Sequence, residues 1–323
     1  MSYNSSMTKV TRKKNIFVTG GSGFIGEALL AQFSKKTRYE VIALSRTKEK
    51  RRIPNVSFVK GDLFRPETYE KDLRESDAVI HLAGEINING SIETPRISIE
   101  TNSAMLFNIL EVLRKSKKKS LVIFTSTDRL YGKTKKRTVS EAEQITPIEP
   151  YTASKMICEI LLETYSLLYG IPYIILRLDS VYGPRQPRSM FISDIIQKMI
   201  TQDKILVGKL LLRKNFVYVD DVAEAILAAL KTDTSLQNTF YNIGGESVSL
   251  KDVCEIAKVH IEKTLKKKIS ITTDLSLIRP ANIEVSPFQL STKKAQQKLR
   301  WETKVSLKSG LIKTINYFLE CYE

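Results

Sequence analysis

At 323 residues the chain is too long for one small domain, and 42% hydrophobic with 27% charged residues is the balance of a globular protein, which excludes wholesale disorder. Its 51 basic and 35 acidic side chains leave a formal charge of +16, which bears on solubility and anionic partners and not on fold. Two histidines eliminate much of hydrolase and zinc chemistry, and three well-separated cysteines (Cys158, Cys254, Cys321) disfavour a disulfide framework and suit a reducing, cytoplasmic setting.

Short β-branched runs alternate with helical patterns through the first half. Residues 15–19 (NIFVT) predict a strand, 24–34 a helix, and 39–44, 56–60 and 78–82 (AVIHL) three more strands. Helical spacing over 97–116 leads to a strand at 120–124 (SLVIF), and a long helix at 151–169 leads to another at 173–178 (YIILRL). Such alternation predicts an α/β fold: a Rossmann-type doubly wound parallel sheet, its strands continuously apolar because helices cover both faces.

After residue 178 the rhythm breaks. A Pro-rich turn at 182–188 (YGPRQPR) precedes a helix at 190–201, a strand at 215–219, a helix at 222–230 and a strand at 239–243. Two amphipathic helices and a strand near 269–272 complete the chain. The expected division is a dinucleotide-binding part, 1–178 plus about 215–245, and a smaller discontinuous α/β substrate part, about 179–214 and 246–323. No apolar stretch approaches a bilayer span, and 1–15 lacks the apolar core of a secretory signal. Lysine-rich runs at 48–52, 115–119, 133–137 and 266–268 are scattered and free of aromatics, so they read as solvated faces that need no nucleic acid.

Thr19-Gly20-Gly21-Ser22-Gly23-Phe24-Ile25-Gly26 lies between the first strand and the first helix. Glycines at 20, 23 and 26 allow a tight turn, close approach to a pyrophosphate and packing of helix on strand, while the helix N-terminus favours the anion. An acid near the end of the second strand would hold the 2′-hydroxyl of NAD, but Ser45-Arg46 stands there. A guanidinium pairs well with a 2′-phosphate, which favours NADP; an arginine stacked on the adenine is compatible with NAD. Asp62, in Gly61-Asp62-Leu63, is placed to accept from the adenine amino group.

Tyr151-Thr152-Ala153-Ser154-Lys155 opens the long helix, so the phenol and the ammonium share a face. A nearby cation favours phenolate, a base able to take a proton from a sugar hydroxyl. Phe124-Thr125-Ser126-Thr127 ends a strand at the edge where parallel sheets place ligands, and its hydroxyls can bind a substrate oxygen.

With these residues the chain resembles the extended short-chain dehydrogenase/reductases of the NAD-dependent epimerase/dehydratase family, which act mostly on nucleotide-activated sugars. The likeness runs nearly end to end, through Gly61-Asp62-Leu63, His81-Leu82-Ala83-Gly84, Asn102, Ser126 to Gly132, Arg177 to Pro184, Phe216 to Ala223, Tyr241 to Gly244 and Leu299-Arg300-Trp301. It implies Tyr151 as acid/base, Lys155 also holding the nicotinamide ribose, Thr127 in the Ser/Thr position, and Leu82, Ala83, Gly84 and Asn102 at the cofactor. His81 then carries no chemistry. A homodimer through the Tyr151 helix is implied by analogy.

The likeness also bears on the reaction. Asp128-Arg129 stands where dehydratases carry Asp-Glu; Asp128 could serve as the acid, but arginine cannot act as the base. Ser180 replaces a sugar-diphosphate asparagine and Lys214, beside Arg213, a diphosphate arginine, while Arg279 matches the pattern. The expectation is an NAD(P)-dependent nucleotide-sugar epimerase working through a 4-keto intermediate, with an NADPH-dependent 4-keto-sugar reductase and a 4,6-dehydratase as alternatives. A fold that lost turnover and merely binds is opposed by intact Thr127, Tyr151 and Lys155.

Overall fold

The computed structural model describes residues 12–277 and 287–322. In chain order the first half runs β1 (Lys14–Thr19), α1 (Phe24–Phe33), β2 (Tyr39–Ser45), β3 (Val56–Lys60), α2 (Glu70–Arg74), β4 (Ala78–His81), α3 (Ile88–Glu93), α4 (Pro95–Arg114), β5 (Leu121–Thr127) and β6 (Thr138–Val139). There follow α5 (Pro150–Tyr169), β7 (Tyr173–Leu178), β8 (Ser180–Tyr182), α6 (Phe191–Thr201), β9 (Lys204–Val207), β10 (Arg213–Tyr218) and α7 (Val219–Ala229). The chain ends with β11 (Thr239–Ile243), β12 (Glu246–Ser249), α8 (Leu250–Leu265), β13 (Ser270–Thr273), β14 (Gln289–Leu290), α9 (Lys293–Leu299) and α10 (Leu307–Glu320).

Among the described residues the main sheet has seven strands in the order β11-β7-β5-β4-β1-β2-β3, all pairs parallel. Every residue of β4, β5 and β7 is buried, as continuous apolar runs require when helices cover both faces. Alternation along β1 shows the two faces. Ile16 and Val18 join the core under α1 and α7, and Phe17 joins the core under α4 and α5. The strand order reverses direction between β1 and β4, and ligands of open α/β sheets bind in the crevice at that switch point.

A third core gathers Ile192, Ile196 and Met199 of α6, Val253 and Ala257 of α8, and Leu311 and Ile315 of α10 beside Tyr182 and Phe216. It carries a small sheet ordered β12-β10-β8. Of the segment 215–245, α7 therefore packs on the large sheet and β11 is its edge strand, whereas β10 pairs with β8 and β12. These elements overhang the C-terminal edge of the large sheet and form one wall of the cleft. Among the described residues no helix is long and apolar enough to cross a membrane.

Candidate active site

A cleft of about 900 Å³ runs along the C-terminal edge, from the glycine loop after β1 to β10. Gly20 has a φ of +70°, and a Cβ there would stand 2.7 Å from the Ala83 amide nitrogen. The loops after β1 and β4 thus lie back to back in a way that needs glycine. A Cβ on Gly26 would overlap the Gly20 carbonyl. No side chain caps α1 at Gly23, so its first-turn N–H groups are open to an anion, with the positive end of the helix dipole behind them. A bare helix end cradled by glycine backbone fits a dinucleotide pyrophosphate.

Gly20, Gly23, Phe24, Ile25, Gly26, Ser45, Arg46, Asp62, Leu63, Leu82, Ala83 and Gly84 all line this cleft. Arg46 is exposed and makes no ion pair among the described residues. Asp62 is half-buried, and its Oδ1 accepts from the Phe64 amide at 3.0 Å. Asn102 lies behind the wall instead of on it. Its side chain accepts from the Glu85 amide at 2.7 Å and donates to the Glu85 carbonyl at 3.1 Å and Ser154 Oγ at 2.8 Å, tying the loop after β4 to α5. His81 meets Thr19 Oγ1 at 2.7 Å; burial, reinforced by the Lys155 charge, pushes its pKa down to about 3, so the ring is neutral.

Tyr151 stands in the first turn of α5, and the local sequence explains how it is held. Pro150 has its φ pre-set at the first helical position, and Glu149 with Thr152 forms a reciprocal capping box. The Glu149 carboxylate, fully buried, takes two bonds from Arg129, at 2.8 Å from Nε and 2.9 Å from Nη2. This pair clamps the loop after β5 onto the start of α5. Thr127, at the end of β5, accepts from the Arg129 amide at 3.2 Å and lines the cleft with Tyr151.

The electrostatics differ from the sequence expectation. Burial raises the Tyr151 pKa above its ordinary value; Arg129 opposes this most strongly, while Asp128 and Glu149 add to it. Lys155 is turned toward the sheet, its Nζ donating to the Thr125 carbonyl at 2.9 Å and lying 4.7 Å from the centroid of the Phe124 ring. Burial lowers its pKa, with Cys158 and Glu159 acting against that. The cation that most favours phenolate is therefore Arg129, not the ammonium one helical turn along.

At the other end of the cleft Asp128, Ser180, Arg213 and Lys214 all line the wall. Ser180 is exposed, and the exposed Arg213 guanidinium donates to the Ser247 carbonyl of β12. Arg279 lies outside the described residues. Asp179, Glu149 and Asn215 also belong to this region and escaped the sequence reading. Asp179 had a signal, a carboxylate directly after a buried parallel strand, at the edge where such sheets bind ligands. Glu149 had a weaker one, as the residue before Pro150 at a helix start.

Comparisons with known proteins agree with this geometry. A model of the NAD dependent epimerase/dehydratase family matches residues 16–244. A putative UDP-glucose 4-epimerase of Methanocaldococcus jannaschii is 34% identical over 311 residues, covering 94% of this chain and 97% of that one. Among solved structures, UDP-glucose 4-epimerase with UDP-glucose from Thermotoga maritima superposes with a TM-score of 0.82 at 29% identity, covering 96% of this chain and 100% of that one. UDP-glucuronic acid 4-epimerase from Bacillus cereus, in complex with UDP-glucuronic acid and NAD, gives 0.83 at 27% identity, covering 95% and 100%.

Proposed function

The chain belongs to the NAD-dependent epimerase/dehydratase family, and we propose that within it the protein is an NAD-linked 4-epimerase of nucleotide-diphosphate sugars of the UDP-hexose kind. One observation carries this reading. Thr127 and Tyr151 share one cleft with the bare glycine-loop helix end. The likeness to two 4-epimerases over nearly the whole chain supports it.

The residues that would hold the cofactor are Gly20 to Gly26 at the pyrophosphate, Ser45, Arg46, Asp62 and Leu63 at the adenosine, and Leu82, Ala83, Gly84 and Lys155 at the nicotinamide ribose. When bound, NAD supplies a hydride acceptor at C4 of the sugar and the positive charge of its oxidised ring. Thr127 holds the C4 oxygen, and Tyr151 takes its proton as the sugar becomes a 4-ketone, then returns it to the same oxygen when the opposite face is reduced. Arg129 favours the phenolate through this cycle, and Glu149 keeps the guanidinium in place. Lys155, anchored by one N–H on Thr125, has two N–H groups left for ribose hydroxyls. Lys214 and Arg213 supply positive charge for the sugar diphosphate.

NADP is the second reading for the cofactor, favoured by the exposed Arg46 and by Ser45 where an acid would hold a 2′-hydroxyl. We also propose a homodimer built on α4 and α5, where Ile97, Phe107, Ile160, Leu167 and Leu168 are exposed. Sedimentation would report twice the chain mass.

The deciding experiment is incubation of the purified protein with UDP-glucose, followed by NMR. Interconversion with UDP-galactose and no accumulation of reduced nicotinamide is the expected result. Stoichiometric consumption of NADPH on a 4-keto sugar would make it a reductase, and loss of water from the hexose a dehydratase.

A further inference from the structure

Asp128 and Asp179 leave two adjacent parallel strands at the same level, because Thr127 of β5 and Leu178 of β7 are register partners. Neighbouring strands lie about 4.8 Å apart, so the two carboxyls emerge side by side, and both line the cleft. Asp128 Oδ1 is 3.4 Å from Thr127 Oγ1, which sets the pair beside the oxygen held by Thr127 and Tyr151. Asp179 is 5% exposed; its Oδ1 accepts from the Ser180 amide at 2.8 Å, and its Oδ2 has no hydrogen-bond partner. Asn215 Oδ1, also on this wall, is buried without a partner. The corner is buried and rich in acceptors, so a hydrogen-bond donor fits it better than a further acceptor.

The charges here are Asp128 and Asp179 themselves, Arg129 clamped by Glu149, Lys214 and the Tyr151 phenol. Burial raises both carboxyls, Asp128 to about 6 against the pull of Arg129 and Lys214, and Asp179 further because Asp128 repels it. They titrate as a pair, and the pair keeps negative charge at neutral pH. On a pyranose the carbon next to C4 carries the C6 group, the substituent whose charge separates a hexose from a hexuronate. A hydroxymethyl group offers a donor to the open acceptors. A uronate offers only acceptors and adds a negative charge to a poorly hydrated corner that already carries one, where like charges repel strongly.

We propose that Asp128 and Asp179 form a charge filter at the sugar end of the cleft, admitting a hexose with a neutral, hydrogen-bond-donating C6 group and turning away a hexuronate. This rests on the nucleotide-sugar reading above and states which of those sugars it covers.

The test measures kcat/KM for UDP-glucose and UDP-glucuronate on the holoenzyme, in the parent, Asp179→Asn and Asp128→Asn. The parent should favour UDP-glucose by about a hundredfold near pH 8. Asp179→Asn should narrow that preference about tenfold. Acid should narrow it in the parent too, since Asp128 gains its proton as pH falls through about 6 while an ordinary sugar carboxylate stays ionised. Titration of Tyr151 affects both sugars alike and cancels in the ratio. Comparable kcat/KM for the two sugars in the parent overturns the filter. So does a ratio unmoved both by acid and by the variants that fold. Inertness toward both sugars with NAD bound overturns the nucleotide-sugar reading, and the filter with it.

Discussion

The two ends of the cleft are built from different materials. At the dinucleotide end the ligand-facing surface is mostly backbone: the loop 20–26, the open end of α1, and the 82–84 loop against which Gly20 packs. At the sugar end it is mostly side chains, contributed by β5, α5, β7 and β10 and held by the Arg129–Glu149 clamp. On the function proposed above, backbone donors would recognise what every dinucleotide shares, and side chains would decide which sugar enters and where its proton goes. The first end is hard to alter without breaking the fold. The second can change its chemistry one residue at a time.

Substitutions at each end should separate these roles. Tyr151→Phe should lower kcat about a thousandfold while NAD stays bound; activity within tenfold of the parent would remove the phenol from the mechanism. Gly26→Val places atoms on the Gly20 carbonyl, and backbone cannot yield as a flexible side chain can. NAD affinity measured by calorimetry should fall about a hundredfold or more, and unchanged affinity would show that the loop does not carry the pyrophosphate.

Glu149→Gln sharpens the comparison at the clamp. Gln still accepts one bond from Arg129 but removes a negative charge that raises the phenol. The base must lose its proton to act, so a lower pKa moves the ascending limb of the kcat/KM profile toward lower pH. The same change should cost roughly 1–3 kcal/mol in stability, because the buried guanidinium loses its counter-charge. A limb that does not move would show that the clamp does not act on Tyr151, and one that moves upward that loosening Arg129 outweighs the lost charge. The smallest effect is expected at the exposed edge. Arg46→Ala should weaken NADP about tenfold and NAD by less than threefold; equal losses would show that the guanidinium reads no phosphate.

Legibility in the sequence follows the same division. The glycine loop is contiguous, and its strand before and helix after are visible in hydrophobic pattern, so the fold and the proposed pyrophosphate site follow from local signals. Tyr151 and Lys155 are also local, yet their expected electrostatic partnership is not what the structure holds. Lys155 is drawn to the Thr125 carbonyl by a buried acceptor in reach, and Arg129, distant from Tyr151 in sequence, takes its place. Asn102 carries a polar side chain on a helix face that packs against α5, so it braces a loop where a cofactor contact was expected.

The chain by itself determined the alternation of strand and helix, the tight turns that only glycine permits, and the residue types available for proton transfer, because each depends on neighbours within a few residues. Tertiary structure alone decided that Asp128 and Asp179 stand together and that Arg129 reaches both Glu149 and the Tyr151 phenol. Those meetings depend on the register of β5 against β7 and on the packing of α5, where twenty or more residues separate the groups in sequence and only the folded sheet brings them together.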